Sequence, residues 1–418
     1  MKIAIVGAAS TYTPELIDGF ARLRAALPID ELWLVDPDVA RLSLVAGMAE
    51  RMLARAGYPV RLHATADLVA AATDADAVLI QLRIGGQEAR KGDETWPHEV
   101  HCIGQETTGP GGFAKALRTV PVVLDIAEVI RKHAKPDAWI VDFTNPVGIV
   151  TRALLAAGHR AIGLCNVAIG FQRRFAERFD VAPADVVLGH AGLNHLTWIR
   201  SVEVNGVDRM GELLKTARGE LAEDVEIPEQ VLADLSAIPS YYLRYFYEHN
   251  VVLTEQLGAP TRAEAVMDVE RELLALYADP TVDTKPDALA RRGGAFYSEA
   301  AIELLVSLFD DEGHVRVVNV RNDGTLPFLP DDHVIEVPAH VRRGSVTTLA
   351  VPQLAPEMAG LVASVAGYER LALEAAVHGG RDRVLRAMRA HPLVLQHERA
   401  ERLTDLLLAN NKEFLPWA

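Results

Sequence analysis

A chain of 418 residues, half of them hydrophobic, is long enough to bury one large core or two joined ones. Its formal net charge of −15 excludes a general binder of nucleic acid or anionic membranes, while local arginines can still meet an anionic small substrate. Two cysteines, Cys102 and Cys165, argue against a disulfide framework and fit a reducing cytoplasm.

The N-terminal run MKIAIVG is too short for a signal peptide, and no run approaches the roughly 20 apolar residues that span a bilayer. Lys2 to Val6 reads as a buried strand. Pro14 then opens a helix, with Thr13 as its N-cap and Leu16, Phe20, Leu23 and Leu27 on one face. Further strands are expected at Glu31 to Val35, Val60 to His63, Ala77 to Leu82, Trp139 to Phe143 and Ala161 to Leu164. Helices between them include Thr119 to His133 and Pro146 to Ala157. This alternation predicts a Rossmann-like, doubly wound parallel sheet over residues 1–165.

The pattern then changes. Strands at Val186 to Gly192 and Leu196 to Val204 precede helices at Leu243 to His249, Arg262 to Tyr277 and Ser298 to Phe309. A strand pair follows at Val315 to Val320 and His333 to Val337, and the chain from Pro356 onward is helical. We therefore expect a second, α+β domain over residues 166–418. The C-terminal helices could serve a core or an interface.

The segment GAASTYTPE follows the first strand and lacks the usual G-x-G-x-x-G fingerprint. Gly7 holds the tight-turn position, and Ala9 stands where the second glycine would be. A helix N-terminus there can still receive a pyrophosphate. Asp36 ends the second strand, where an acid binds a ribose hydroxyl and disfavours a 2′-phosphate. Alternatively, Asp36 merely caps the following helix. Arg83 follows a strand directly, which places it in the ligand crevice rather than on the bulk surface.

Polar groups gather in GQETTGPGG, FTNPVG, GLCN and GLNHL, where strands should end. Cys165 and His195 are a thiol and an imidazole that suit a transition metal if the fold unites them. Taken alone, they read as a packing cysteine and a satisfied histidine rather than as ligands. The segment IPSYYLRYFY carries Tyr241, Tyr242, Tyr245 and Tyr247, a stripe suited to core or interface. A phenol with its ordinary pKa of about 10 needs a nearby metal or cation to act as a base.

Taken in order, STYTPELI, IGQETTGPGGF, FTNPVG, GLCNVAIGF, GLNHLTWI, YYLRYFY, RRGGAFYS and VNVRNDGTLPFLPDDHVIEVPAHV resemble glycoside hydrolase family 4 from Ile3 to about His340. Within it the chain is most similar to the 6-phospho-β-glucosidases. The resemblance implies a cytoplasmic enzyme that uses NAD and usually Mn²⁺, acts on a phosphorylated glycoside and assembles as a homodimer or homotetramer. It implies Cys165 and His195 as metal ligands, Tyr242 as the base and Glu106 as an acid that raises its basicity. Asn145 and Asn166 would contact substrate, as would Arg90, Arg262 and Ser10 at its phosphate. Gly7, Ser10, Asp36 and Arg83 would serve the cofactor. The CN of GLCN matches β-specific members, where α-specific ones resemble CD.

The sequence departs from the family at GAAS (for GGGS), LRIGG (for FRPGG) and CNVA (for CNVP), which touch the cofactor loop and the sugar crevice. The family's chemistry differs from the usual pair of carboxylates. It oxidises C3, deprotonates C2, eliminates the aglycone, adds water and re-reduces C3. The alternatives are a family member with another sugar, whether a 6-phospho-α-glucoside or an unphosphorylated glycoside, and a plain NAD-dependent sugar dehydrogenase. A nucleotide-binding regulatory protein is the non-enzymatic one.

Overall fold

The computed structural model describes residues 1–293 and 296–418; Gly294 and Ala295, in the RRGGAFYS phrase, lie outside the described residues. Six short strands form the first half of the sheet: β1 (Lys2–Val6), β2 (Glu31–Val35), β3 (Arg61–Thr65), β4 (Ala77–Ile80), β5 (Trp139–Asp142) and β6 (Ala161–Gly163). They pair in parallel in the order β3-β2-β1-β4-β5-β6, the doubly wound arrangement with its crevice outside the strand C-termini. These apolar runs need cover on both faces, and they get it. Ala4 and Val6 enter one core and Ile3 and Ile5 the other, as strand alternation dictates.

The second half adds β7 (Val186–Leu193), β8 (Leu196–Val204), β9 (Val207–Asp208), β10 (Ile238–Pro239), β11 (His314–Arg321), β12 (Val334–Arg342) and β13 (Ser345–Thr348). These strands are antiparallel and extend the same sheet past β6 in the order β11-β12-β7-β8-β10, with β13 on β12 and β9 on β8. Each core also draws from both halves: Phe113 and Trp198 share one, Phe20 and Ile302 the other. Truncating a side chain such as Phe113 to alanine would cost about 3–5 kcal/mol, since neighbours refill a cavity only in part.

Several expectations need correction. The first helix runs Thr13–Arg22, so Thr13 lies inside it, and its hydroxyl donates to the Ala8 carbonyl at 2.8 Å instead of capping. Leu23 and Leu27 fall beyond its end, although Leu27 is buried. The helix expected from Thr119 begins at Gly109. Its GPGG opening reads as loop, but these glycines are there for close packing. A Cβ on Gly111 would stand 2.4 Å from the Asp93 carbonyl oxygen. The helix expected from Leu243 to His249 is a tight turn at Tyr241–Leu243, a short helix at Arg244–Tyr247 and a new one at His249–Gly258.

Candidate active site

The C-terminal ends of β1, β2, β4, β5 and β6 open onto a cleft of about 1160 Å³, roomy enough for more than one small ligand. Every predicted site residue except Cys165 lines it.

Its nucleotide end starts at Gly7, at φ +85°, where a Cβ would lie 2.5 Å from the Gln81 carbonyl oxygen. Only glycine permits that turn. The Asp36 carboxylate accepts from Ala9 N and Asp38 N, both at 3.0 Å. The following helix, Val39–Arg55, is capped by Asp38, which accepts from Arg41 N at 3.0 Å. Asp36 is therefore not that cap; it braces the loop and borders the cleft. Ser10 Oγ accepts from Tyr12 N at 3.2 Å and from Arg292 Nη2 at 3.5 Å.

Sequence reasoning missed the charge cluster beneath this loop. Glu270 accepts from Arg41 Nη2 and Gln87 Nε2 at 3.0 Å and from Arg292 Nη2 at 3.4 Å. Burial alone would raise Glu270, but Arg292 and Arg41 outweigh it and hold the carboxyl below its ordinary range. Two guanidinium groups against one carboxylate leave surplus positive charge beside Ser10, suited to an anion. The available signal was an acid inside the apolar stripe Val266, Val269, Leu273 and Tyr277 of the helix Arg262–Ala278.

In mid-cleft, Glu106 is buried among three cations. It pairs with Arg83, with Lys115 Nζ at 2.6 Å and with Arg90 Nε at 3.2 Å. Burial works against its charge, yet Arg83, Lys115 and Arg90 hold it well below the usual carboxylate range. Lys115, which sequence reasoning also missed, is pushed down to about 7 by burial and by Arg83, against the pull of Glu106. Starting the helix at Gly109 would have put Lys115 on its second turn, within reach of Glu106. Arg90 Nε also donates to Glu94 Oε1 at 2.7 Å. The loop is pressed onto the helix Gly86–Thr95 that bears Arg90, and a Cβ on Gly104 would collide with the Glu94 carbonyl. Gln256 clamps it from the other side, donating to Gly104 O at 2.9 Å and accepting from Gly104 N at 3.0 Å. Arg262 sits at the rim, its Nη2 donating to the Arg291 and Arg292 carbonyls at 3.0 and 3.1 Å.

The reaction end is built by the antiparallel half. The β7–β8 turn presents His195 at φ +66°, and β10, paired to β8, delivers Tyr242. The two rings stack with centroids 3.6 Å apart and planes 8° apart. Tyr241 points to a different partner, its hydroxyl accepting from Arg244 Nη1 at 3.0 Å, which separates the two neighbouring phenols. Burial raises Tyr242 well above 10, with Cys165, Tyr245 and Glu106 adding to the rise and Arg90 opposing it. Burial lowers His195 to about 4, so its imidazole is neutral at ordinary pH. Among the described residues Asn145 Oδ1 is buried without a hydrogen-bond partner, an acceptor at the cleft wall.

Cys165 is buried just behind that wall, two residues past β6 and next to Asn166, which does line the cleft. Burial and then Glu336 push its thiol up. A thiol, an imidazole and a phenol, all held neutral, thus occupy one corner. Among the described residues no hydrogen bond engages the His195 ring nitrogens, and no cluster of three or more His, Cys, Asp and Glu side chains suits a metal. Cys165 and His195 fit a divalent cation as its two protein donors, with further ligands supplied by substrate or water. A cation at this corner would favour the charged forms of both the thiol and the phenol.

The sequence matches the model for family 4 glycosyl hydrolases over residues 2–181 and that for the family's C-terminal domain over residues 190–394. It is 40% identical to a probable 6-phospho-beta-glucosidase of Bacillus subtilis strain 168, covering 100% of this chain and 97% of that one. It is 34% identical to the 6-phospho-beta-glucosidase of Escherichia coli strain K12, covering 100% and 96%. The structure is similar to that of the 6-phospho-beta glucosidase from Thermotoga maritima with manganese, NAD⁺ and glucose-6-phosphate, at a TM-score of 0.92 and 35% identity over 99% of both chains.

Proposed function

The chain belongs to glycosyl hydrolase family 4, and from that premise we propose that it hydrolyses 6-phospho-β-glucosides with NAD and a divalent metal, Mn²⁺ first. The observation that carries this reading is the joining, in one cleft, of an anion-ready nucleotide loop with the stacked His195–Tyr242 pair beside Cys165.

When bound, NAD⁺ supplies a hydride acceptor and donor for C3 of the sugar, and a metal on Cys165 and His195 supplies positive charge beside the sugar oxygens. The protein's residues do the rest. Tyr242 takes the C2 proton, made acidic by the C3 ketone, and the C1–O bond to the aglycone then breaks. Stacking on His195 fixes the plane of the phenol, and Glu106 raises its basicity from within its cation cage. Asn145 and Asn166 orient the sugar hydroxyls. Arg90, Arg262 and Ser10 hold the 6-phosphate, for which guanidinium groups are the suited donors. Gly7, Asp36 and Arg83 position the dinucleotide, with Ser10 shared between both ligands.

We assign residues 1–165 to NAD binding, with Ser10, Arg90, Asn145 and Cys165 also serving substrate and metal, and residues 166–418 to the rest of the substrate and metal site and to assembly, in a cytoplasmic homodimer or homotetramer. No described helix is long and apolar enough to cross a membrane, and both cysteines are free and buried. The test is hydrolysis of an aryl 6-phospho-β-glucoside with NAD⁺ and Mn²⁺, each omitted in turn. Release of the aglycone should require both and leave no net NADH. Net NADH with an oxidised sugar as product would make the chain a dehydrogenase instead.

A further inference from the structure

Two joints of the sheet close to the reaction corner rest on single residue pairs, the first of them the junction of its two halves. Asn319 of β11 pairs with Gly163 of β6, and Glu336 of β12 with Gly192 of β7. Cys165 follows Gly163 by two residues, and Asn194 follows Gly192 by two. Glu336 is only 1% exposed. Its Oε2 accepts from Asn194 Nδ2 at 2.8 Å and Asn319 Nδ2 at 3.1 Å, and its Oε1 lies 2.8 Å from His190 Nε2.

A buried carboxylate is costly and survives only where donors surround it. This one anchors the turn carrying His195, whose left-handed backbone persists in a non-glycine residue only when its surroundings dictate it. We infer that Glu336 is a positioning residue for the Cys165–His195 pair, holding the His195 turn through Asn194 and the strand end before Cys165 through Asn319, and adding a negative charge that favours a divalent cation there. The inference rests on reading that pair as a metal site. Groups of this kind orient the ligands themselves, and their loss weakens metal binding.

The test is titration of Mn²⁺ into the full chain with NAD⁺ and glucose 6-phosphate present, reading free Mn²⁺ by electron paramagnetic resonance. Glu336→Gln removes the charge and can keep the geometry, because its amide can donate to His190 in the other tautomer while its oxygen accepts from the two asparagines. Asn194→Ala keeps the carboxylate and cuts the link. Each should weaken Mn²⁺ binding about 10- to 100-fold. NAD⁺ affinity should stay near wild type in both and the melting temperature near wild type in Glu336→Gln, and excess Mn²⁺ should restore kcat. Wild-type Mn²⁺ affinity in both variants, with binding lost in Cys165→Ser, would overturn the inference and leave the metal reading standing. A parallel fall in Mn²⁺ affinity, NAD⁺ affinity and melting temperature would also overturn it, marking Glu336 as general support. A wild-type chain with no Cys165-dependent Mn²⁺ site would overturn the metal reading and the inference together.

Discussion

At the nucleotide end of the cleft, ligand space is bounded by backbone and by guanidinium groups that outnumber their carboxylate: Gly7 turns the chain, Asp36 braces the loop, and Arg41 and Arg292 share Glu270. At the reaction end, a neutral thiol, imidazole and phenol are packed together with their charged forms suppressed by burial. The first arrangement suits a preformed anion. The second holds groups whose charged forms a cation would favour. Substitutions should therefore cost affinity at one end and rate at the other.

The largest effect should come from Tyr242→Phe, which removes the phenolic oxygen with little change of shape. Loss of a general base lowers rate by about 10²–10⁴-fold. NAD⁺ affinity should stay at the wild-type value in the same preparation, and Tyr241→Phe should be much milder. Equal losses in the two variants would contradict the assignment of the base.

Glu106→Gln comes next. It leaves Arg83, Arg90 and Lys115 without their shared carboxylate, and breaking a buried ion pair costs about 3–5 kcal/mol. Denaturant unfolding should register the loss.

The phosphate arginines should then separate. Among the described residues Arg262 is engaged only with carbonyl oxygens, so Arg262→Ala should lower kcat/KM on a 6-phosphoglucoside by the worth of a charged hydrogen bond, about 1.5–3 kcal/mol, and spare the unphosphorylated analogue. Arg90 also compensates Glu94 and Glu106 and opposes the rise of Tyr242, so Arg90→Ala should depress both substrates. Identical substrate profiles for the two variants would erase the distinction. Asp36→Arg should act on the cofactor by a similar amount, weakening NAD⁺ by about 1.5–3 kcal/mol per charged ribose hydrogen bond lost and shifting preference towards NADP⁺, as read by titration of each cofactor.

The smallest concerns pH. The folded metal-free chain holds His195 at about 4 against an ordinary 6.5, so the unfolded chain binds more protons between those values. Stability from this group is therefore present above pH 6.5 and lost as pH falls towards 4. His195→Gln should flatten that part of the melting-temperature profile, and an unchanged slope would show that His195 is not the group responsible.

The parallel half was legible because its strands are continuous apolar runs between helical segments. Lys2 to Val6 and Glu31 to Val35 match to the residue. The antiparallel strand Leu196–Val204 was equally clear, but no local pattern says that β11 and β12 insert between β6 and β7. That insertion is what brings Cys165 and His195 to one corner, so their spacing alone could not mark a metal pair. Arg292, Glu270 and Lys115 were missed for a similar reason, since each gains its meaning from a partner set by tertiary packing. The family resemblance supplied the proposed site residues, which local patterning could not.

The central claim is that Tyr242 breaks the C2–H bond of the substrate. Its most direct test is turnover of a 6-phospho-β-glucoside in D₂O, with the product examined at C2. The account predicts deuterium at that carbon, and C2-deuterated substrate should show a primary isotope effect wherever proton removal limits the rate. Product carrying only protium at C2, together with no primary effect from the deuterated substrate under single-turnover conditions, would mean that the bond is never broken and that the aglycone leaves by direct displacement at C1.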